Sequence, residues 1–132
     1  MAAVERKMMQ RDRASAMLGM VVERSDFGHS VVSMLVRDDM VNGHDVTHGG
    51  FVFALADTAF AIACNDDVVV TLAAGADITF LKATRAGQTL TATAVERSLR
   101  GRSGIYDVTI VDETGDVVAE FRGRSRTLRP GS

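Results

Sequence analysis

The chain has 132 residues, 46% of them hydrophobic, with 15 Lys and Arg against 17 Asp and Glu, a formal net charge of -2 and a single cysteine. That length suits one domain over residues 1–132, burying roughly two-thirds of its unfolded surface in one core. Mixed, nearly balanced charge argues against a nucleic-acid partner, and the lone Cys64 excludes an internal disulfide. The segment carrying Arg6, Lys7, Arg11 and Asp12 lacks the apolar run of a secretory signal, so the expectation is a reducing, cytoplasmic setting.

Val4, Met8, Met9, Met17 and Leu18 recur among charges at rough helical spacing, which predicts an N-terminal helix over residues 3–18, closed by Gly19. Val-rich runs from Met20 to Glu23 and from His29 to Arg37 read as two strands of a hairpin turning through Ser25-Asp26-Phe27-Gly28. Asn42-Gly43 is a strong turn signal on the way to His48-Gly49-Gly50.

The run from Phe51 to Cys64 is apolar on every face except for Asp57 and Thr58. A helix of that kind is normally buried on all sides, and the interruption at Asp57 leaves it too short to span a bilayer. A carboxylate in its middle must find donors or a charge partner, or carry a raised pKa, as active-site carboxylates commonly do. The Gly-Gly start adds unpaired N–H groups and the positive end of the helix dipole, both suited to an oxygen that is negative or becoming so. Cys64, at the end of this helix, reads as a small core hydrophobe.

Asn65-Asp66-Asp67 closes the helix, and strands are expected at Val68–Leu72 and Ala76–Leu81, with Gly75 a bulge or kink. Further strands are expected at Thr89–Arg97, Gly104–Asp112 and Val117–Leu128, the last following the turn Glu113-Thr114-Gly115-Asp116, while residues 129–132 read as a frayed tail. One buried helix with five or six strands in meander-like order predicts an α+β fold, the sheet curled round the helix.

Asn42-Gly43, four residues, His48-Gly49-Gly50, and then Phe53-Ala54-Leu55-Ala56-Asp57-Thr58-Ala59-Phe60-Ala61 together resemble the acyl-CoA thioesterases of the hotdog fold. Within these the chain looks most like the phenylacetic-acid-degradation (PaaI) type. The similarity continues through Asp77–Leu81, Gly87–Ala94 and Gly104–Val108, so it covers about residues 18 to 128. The resemblance implies one long helix wrapped by a curved antiparallel sheet, with Asp57 as nucleophile or general base. It also implies that the Gly49 N–H polarises the carbonyl and that Asn42 helps to orient the reacting groups. His48 is then a supporting group, and Gly50 and Thr58 belong to the substrate-binding side. Some relatives carry a Ser or Thr on the strand after the helix to hold the attacking water. Here the sequence reads Leu72-Ala73-Ala74-Gly75, leaving Thr58 and Thr71 as the available hydroxyls.

Acyl-CoA is the implied substrate, with no cofactor and no metal. The His44 and His48 spacing resembles a zincin pair only superficially, because the neighbouring Gly residues make a helix there improbable. Arg97, Arg100, Arg102, Arg122 and Arg124 cluster near strand ends, and Arg100 and Arg102 are the candidates for the CoA phosphates. Gly49 and Asp57 lie eight residues apart, about 12 Å along a helix. One thioester is therefore served more easily by two chains, and a homodimer, paired further into a homotetramer, is expected. The rival expectations are a non-catalytic acyl-CoA binding or sensing protein and a thioesterase for medium-chain aliphatic acyl-CoA. A hotdog hydratase is a weaker rival, since the His and acid pairing of dehydration chemistry is lacking beyond Asp57.

Overall fold

The computed structural model of the chain describes residues 7–66 and 70–128. In place of the one helix expected over 3–18 there are two short ones, α1 at Lys7–Gln10 and α2 at Arg13–Met17, with 3–6 outside the described residues. The break falls at Asp12, whose carboxylate accepts the Ser15 N–H at 2.9 Å and the Ser15 hydroxyl at 2.7 Å. A short acidic side chain thus starts a new helix where hydrophobic spacing suggests continuity. Gly19 ends α2 as expected, adopting φ +71° while its N–H reaches back to the Ala16 carbonyl.

The strands are β1 (Val21–Asp26), β2 (His29–Leu35), β3 (Thr71–Phe80), β4 (Thr89–Arg100), β5 (Ser103–Val111) and β6 (Val117–Thr127), with the long helix α3 (Gly49–Cys64) between β2 and β3. They form one antiparallel sheet in the order β1-β2-β4-β5-β6-β3. This is the hotdog fold, a six-stranded sheet around a central helix. Its order departs from a simple meander, because the chain crosses the whole sheet through α3 to reach the far edge at β3 before β4 returns to pair with β2.

The turns fall where they are expected. The β1–β2 turn is shorter than the four residues expected, since Ser25 and Asp26 still pair with Ser30 and His29 and only Phe27-Gly28, with Gly28 at φ +83°, closes the hairpin; Gly75 marks a bulge against β6. The bulge does not divide the strand, so β3 is continuous from Thr71; the part expected at 68 and 69, like Asp67 and the tail at 129–132, lies outside the described residues. Asn65 ends α3 and joins it to β3: its side-chain oxygen accepts the Thr71 N–H at 2.7 Å, and its amide donates to the Ala61 and Thr71 carbonyls, each at 3.0 Å. Asp112, buried before the β5–β6 turn, accepts from Lys82 Nζ, the Thr114 N–H and hydroxyl, and the Asp116 N–H. One carboxylate therefore fixes both this turn and the β3–β4 connection.

The core lies between α3 and the concave face of the sheet. Leu55, Ala56, Ala59, Phe60 and Ile62 of the helix are buried against Val32, Met34, Leu90, Ala92, Ala94, Tyr106, Val108 and Phe121. Small inward residues on β4 and β6 let the sheet close on the helix. At Gly123 an added Cβ would lie 2.8 Å from the Phe60 ring, which also packs at a tilt against Tyr106 and Phe121 at 5.5 and 5.9 Å between centroids.

One expectation is corrected here, since α3 is not buried on all sides in a single chain. Phe51, Ala54, Asp57, Thr58 and Ala61 recur at three- and four-residue steps and are only half-buried. The sheet covers one side of the helix and leaves that stripe open.

Gly123→Ala is expected to destabilise the fold by about 1–3 kcal/mol through overpacking against Phe60. Adding Phe60→Leu to the same chain should recover part of that loss, and urea denaturation of the two variants checks the coupling.

Candidate active site

The approach to α3 is a loop pinned at both ends. Val41 and Thr47 bridge, the Thr47 N–H donates to the Thr84 carbonyl at 2.8 Å while the two hydroxyls meet at 2.7 Å, and the His48 N–H donates to the Met40 carbonyl at 2.8 Å. Inside the loop, the Asn42 side-chain oxygen accepts the His44 N–H at 2.9 Å and the Val46 N–H at 3.3 Å. Asn42 thus makes the turn that its sequence context suggests, and with its oxygen held by backbone, its exposed amide nitrogen remains a donor. Asp45 sits at φ +59°, a conformation Asp tolerates, and residues 44–48 are not helical, so His44 and His48 lack the common helix face of a zincin pair. Among the described residues no group of three His, Cys, Asp or Glu side chains comes together to hold a metal.

His48 caps α3. Its Nδ1 accepts the Gly50 N–H at 3.1 Å, so the neutral ring carries its proton on Nε2. The Phe51 N–H donates to the His48 carbonyl at 3.0 Å. Of the first helical N–H groups, that of Gly49 is left with no acceptor among the described residues. A Cβ at Gly49 would stand 3.0 Å from the Phe80 ring, and one at Gly50 would stand 3.2 Å from His48 Nδ1, so the two glycines serve close packing and the cap respectively.

Eight residues along, Asp57 is half-buried, and no described residue donates a hydrogen bond to its carboxylate. Burial first, and the charge of Asp12 second, push the Asp57 carboxyl above its ordinary value. Of the outcomes open to a buried acid, the single chain adopts the raised pKa. Thr58 presents its hydroxyl to that of Ser15 at 3.0 Å. Thr71, the other candidate hydroxyl, meets the Thr127 hydroxyl at 2.9 Å beside Asn65, at the opposite end of α3 from Gly49. Cys64 is buried.

Residues 44–119 match the family model of the thioesterase superfamily. The chain belongs to that superfamily. It is 43% identical over 92% of its length, and 86% of the relative's, to the acyl-coenzyme A thioesterase PaaI of Escherichia coli K12. The solved structure of the E. coli PaaI protein from the phenylacetic acid degradation operon superposes with a TM-score of 0.89, covering 92% of this chain and 88% of that one at 43% identity. The TT0310 protein of Thermus thermophilus follows at a TM-score of 0.85 and 38% identity, covering 89% and 99% of the two chains. As a member of the superfamily, the protein is a thioester hydrolase.

A cavity of about 360 Å³ opens beside the unpaired N–H of this thioesterase, lined by Gly49 and Val52 of α3 and by Val46, Thr47, Phe80, Leu81, Lys82, Ala83, Thr84 and Val118. Only Gly49 and Val52 of that lining belong to the helix. Leu81, Lys82, Ala83 and Thr84 come from the β3–β4 connection, whose position depends on the Lys82–Asp112 pair at 2.7 Å. The buried Asp112 two residues before Thr114 was the available signal for that hub.

Arg100 and Arg102 stand elsewhere. Arg100 joins Arg124 and Arg126 at a second cavity of about 470 Å³, which Arg102 does not line. That cavity lies at the end of the sheet where Ser103 pairs with Arg126, whereas Gly49 packs near Phe80, paired with Ala119. Seven residues of β6 separate these points, roughly 23 Å of strand.

Because the folded chain raises the Asp57 pKa, its ionised form costs stability at every pH above the unfolded value of about 3.9, and the cost grows until the folded pKa is passed. Asp57→Asn is therefore expected to raise Tm by a few degrees near pH 7.5. The gain should shrink toward zero as the pH falls toward the unfolded value, in thermal scans of both proteins over that range.

Proposed function

We propose that the protein hydrolyses small aryl-acyl thioesters of CoA, such as phenylacetyl-CoA or hydroxyphenylacetyl-CoA, to the free acid and CoA. The observation that carries this reading is the pairing, on one helix, of the Gly49 N–H with the half-buried Asp57 carboxylate, neither of which has a hydrogen-bond partner among the described residues. The aryl-acyl assignment rests on the 43% identity to E. coli PaaI and on the apolar lining of the cavity beside Gly49. Its volume, about 360 Å³, falls within the range of small-ligand sites.

The Gly49 N–H, backed by the helix dipole, polarises the thioester carbonyl and stabilises the oxyanion. The Asp57 carboxylate either attacks the carbonyl carbon, releasing CoA thiolate and forming an anhydride that water then cleaves, or takes a proton from a water that attacks directly. Both routes consume one water and need no cofactor or metal. Asn42 offers its amide nitrogen to the reacting groups, and His48 holds the helix entry in shape. Gly50 and Thr58 complete the substrate side of the site, and Arg100, with Arg102 nearby, meets CoA phosphates.

The active unit is a homodimer, with dimers pairing further into a tetramer. Gly49 and Asp57 lie about 12 Å apart along α3, while each must come within about 3 Å of the reacting atoms. Two copies of α3 related by a two-fold axis bring Gly49 of one chain beside Asp57 of the other. Two further features support this: the half-exposed stripe of α3, and the unpaired edge of β3 with Leu72 and Phe80 exposed beside it.

With a thiol reagent reporting released CoA, Asp57→Asn is expected to fold and to lose about 10²–10⁴-fold in kcat. Wild-type activity should follow an acid limb above the ordinary carboxylate value. Tight binding without turnover of any CoA ester would instead make the protein an acyl-CoA binder, and a large preference in kcat/KM for medium-chain aliphatic esters would overturn the aryl assignment.

Mixing Asp57→Ala chains with Gly49→Pro chains should restore activity that neither has alone, because one of the two sites in each mixed dimer is intact. Proline suits the first position of a helix and removes the N–H, but its Cβ needs the exposed Phe80 ring to give way, so circular dichroism and dimer formation of this variant are measured alongside. Mixed dimers that form and stay inactive would refute the shared site.

A further inference from the structure

We propose that Asp12 is a positioning residue for the hydrolysis: α2 docks on the middle of α3 through Ser15 and Thr58 and holds the Asp12 carboxylate, a fixed negative charge, beside the turn of α3 that carries Asp57. This rests on the role of Asp57 given under Proposed function.

The geometry is a short directional chain. Ser15 is 3% exposed, and its N–H and hydroxyl donate to the two carboxylate oxygens of Asp12 at 2.9 and 2.7 Å. A serine hydroxyl has one hydrogen. With that hydrogen given to Asp12, the 3.0 Å contact between Ser15 Oγ and Thr58 Oγ1 must run from Thr58 to Ser15. The order is thus Thr58 to Ser15 to Asp12, and the negative charge at its end sets the direction. Both oxygens of Asp12 are fixed, so its charge cannot swing away from α3.

That charge acts on the residue beside Thr58. After burial, the Asp12 carboxylate is the second influence raising the Asp57 pKa. The other described charged groups on the elements packed against α3 are engaged or placed away from Asp57: Arg97 pairs with Asp107, Glu120 accepts from Thr109, Arg126 donates to Ser103, and Arg100 lines the cavity at the far end of the sheet. Glu23 of β1 accepts from Ser33, Arg24 pairs with Asp26, Glu96 of β4 accepts from the Tyr106 phenol, and Asp77 and Asp107 of β3 and β5 pair with Arg124 and Arg122. Arg11 and Arg13, on either side of Asp12, are exposed, and His29 lies at the β1–β2 turn. A more basic carboxylate is the better proton acceptor, and like charge held in place is one of the few ways to obtain it in a half-buried site.

The test removes the charge and keeps the cap. Asn and Ser are both good N-cap residues, so Asp12→Asn and Asp12→Ser should leave α2 in place. Carboxyl carbon NMR gives the titration midpoint of Asp57 in each protein, and the pH profile of kcat/KM gives the acid limb. In both variants the two readouts are expected to move down together, by a few tenths of a pH unit to about one unit. Asp26→Asn, which removes an exposed acid from the β1–β2 turn, should move neither. An Asp57 midpoint unchanged in folded Asp12→Asn overturns the proposal, as does a shifted midpoint with an unshifted kinetic limb. Failure of the underlying reading shows itself separately, as wild-type protein that releases no CoA or as Asp57→Asn that remains active.

Discussion

A single chain cannot cover its own central helix, and much of the site follows from that. The sheet wraps α3 on the side of Leu55, Ala59, Phe60 and Ile62, closing tightly enough that Gly123 has no room for a Cβ against Phe60. The remaining side, with Phe51, Ala54, Asp57, Thr58 and Ala61, is apolar apart from two residues and only half-buried. A stripe of that composition costs little where another apolar surface covers it and more where water does. Asp57 sits in this stripe, shielded enough to be raised in pKa and open enough to be reached.

The two glycines at the helix entry have different physical roles. Every helix begins with N–H groups that lack intrahelical acceptors. Here the His48 ring takes the one from Gly50, leaving the Gly49 N–H at the wall of an apolar cavity. A cap that satisfied both would close the site, and a cap that satisfied neither would leave the entry angle loose. His48 therefore fixes the entry of α3 and leaves the Gly49 N–H as the open group.

Local features were legible in the sequence. The turn at Phe27-Gly28, the stop at Gly19, the bulge at Gly75 and the hairpin turn before Val117 each depend on a residue whose backbone preferences act over a few positions. Asp57 was legible as well, because one carboxylate in an otherwise apolar run is conspicuous. Asp12 was not, since the same charge on an N-terminal segment reads as solvated surface until Ser15 and Thr58 are brought to it. Strand order was also hidden: the crossing from β2 to the far edge at β3 is decided by the whole sheet and by no residue in it. Neither could the cavity beside Gly49 be read, since it joins residues 46–52 to residues 80–84 and Val118.

The arginines make the same point over a longer distance. Arg100, Arg124 and Arg126 gather where β4 turns into β5, at the end of the sheet that holds the C-terminus of α3, while the unpaired Gly49 N–H is at the other end. Roughly 23 Å of strand lies between the two within one chain. Antiparallel pairing of two α3 helices would reverse that relation, because the C-terminal end of one helix then lies toward the N-terminal end of the other. The arginine cavity of one subunit would approach the Gly49 entry of its partner, closer than it stands to its own. A ligand with an acyl group at one end and phosphates at the other would then draw its carbonyl donor from one chain and its carboxylate and cations from the second.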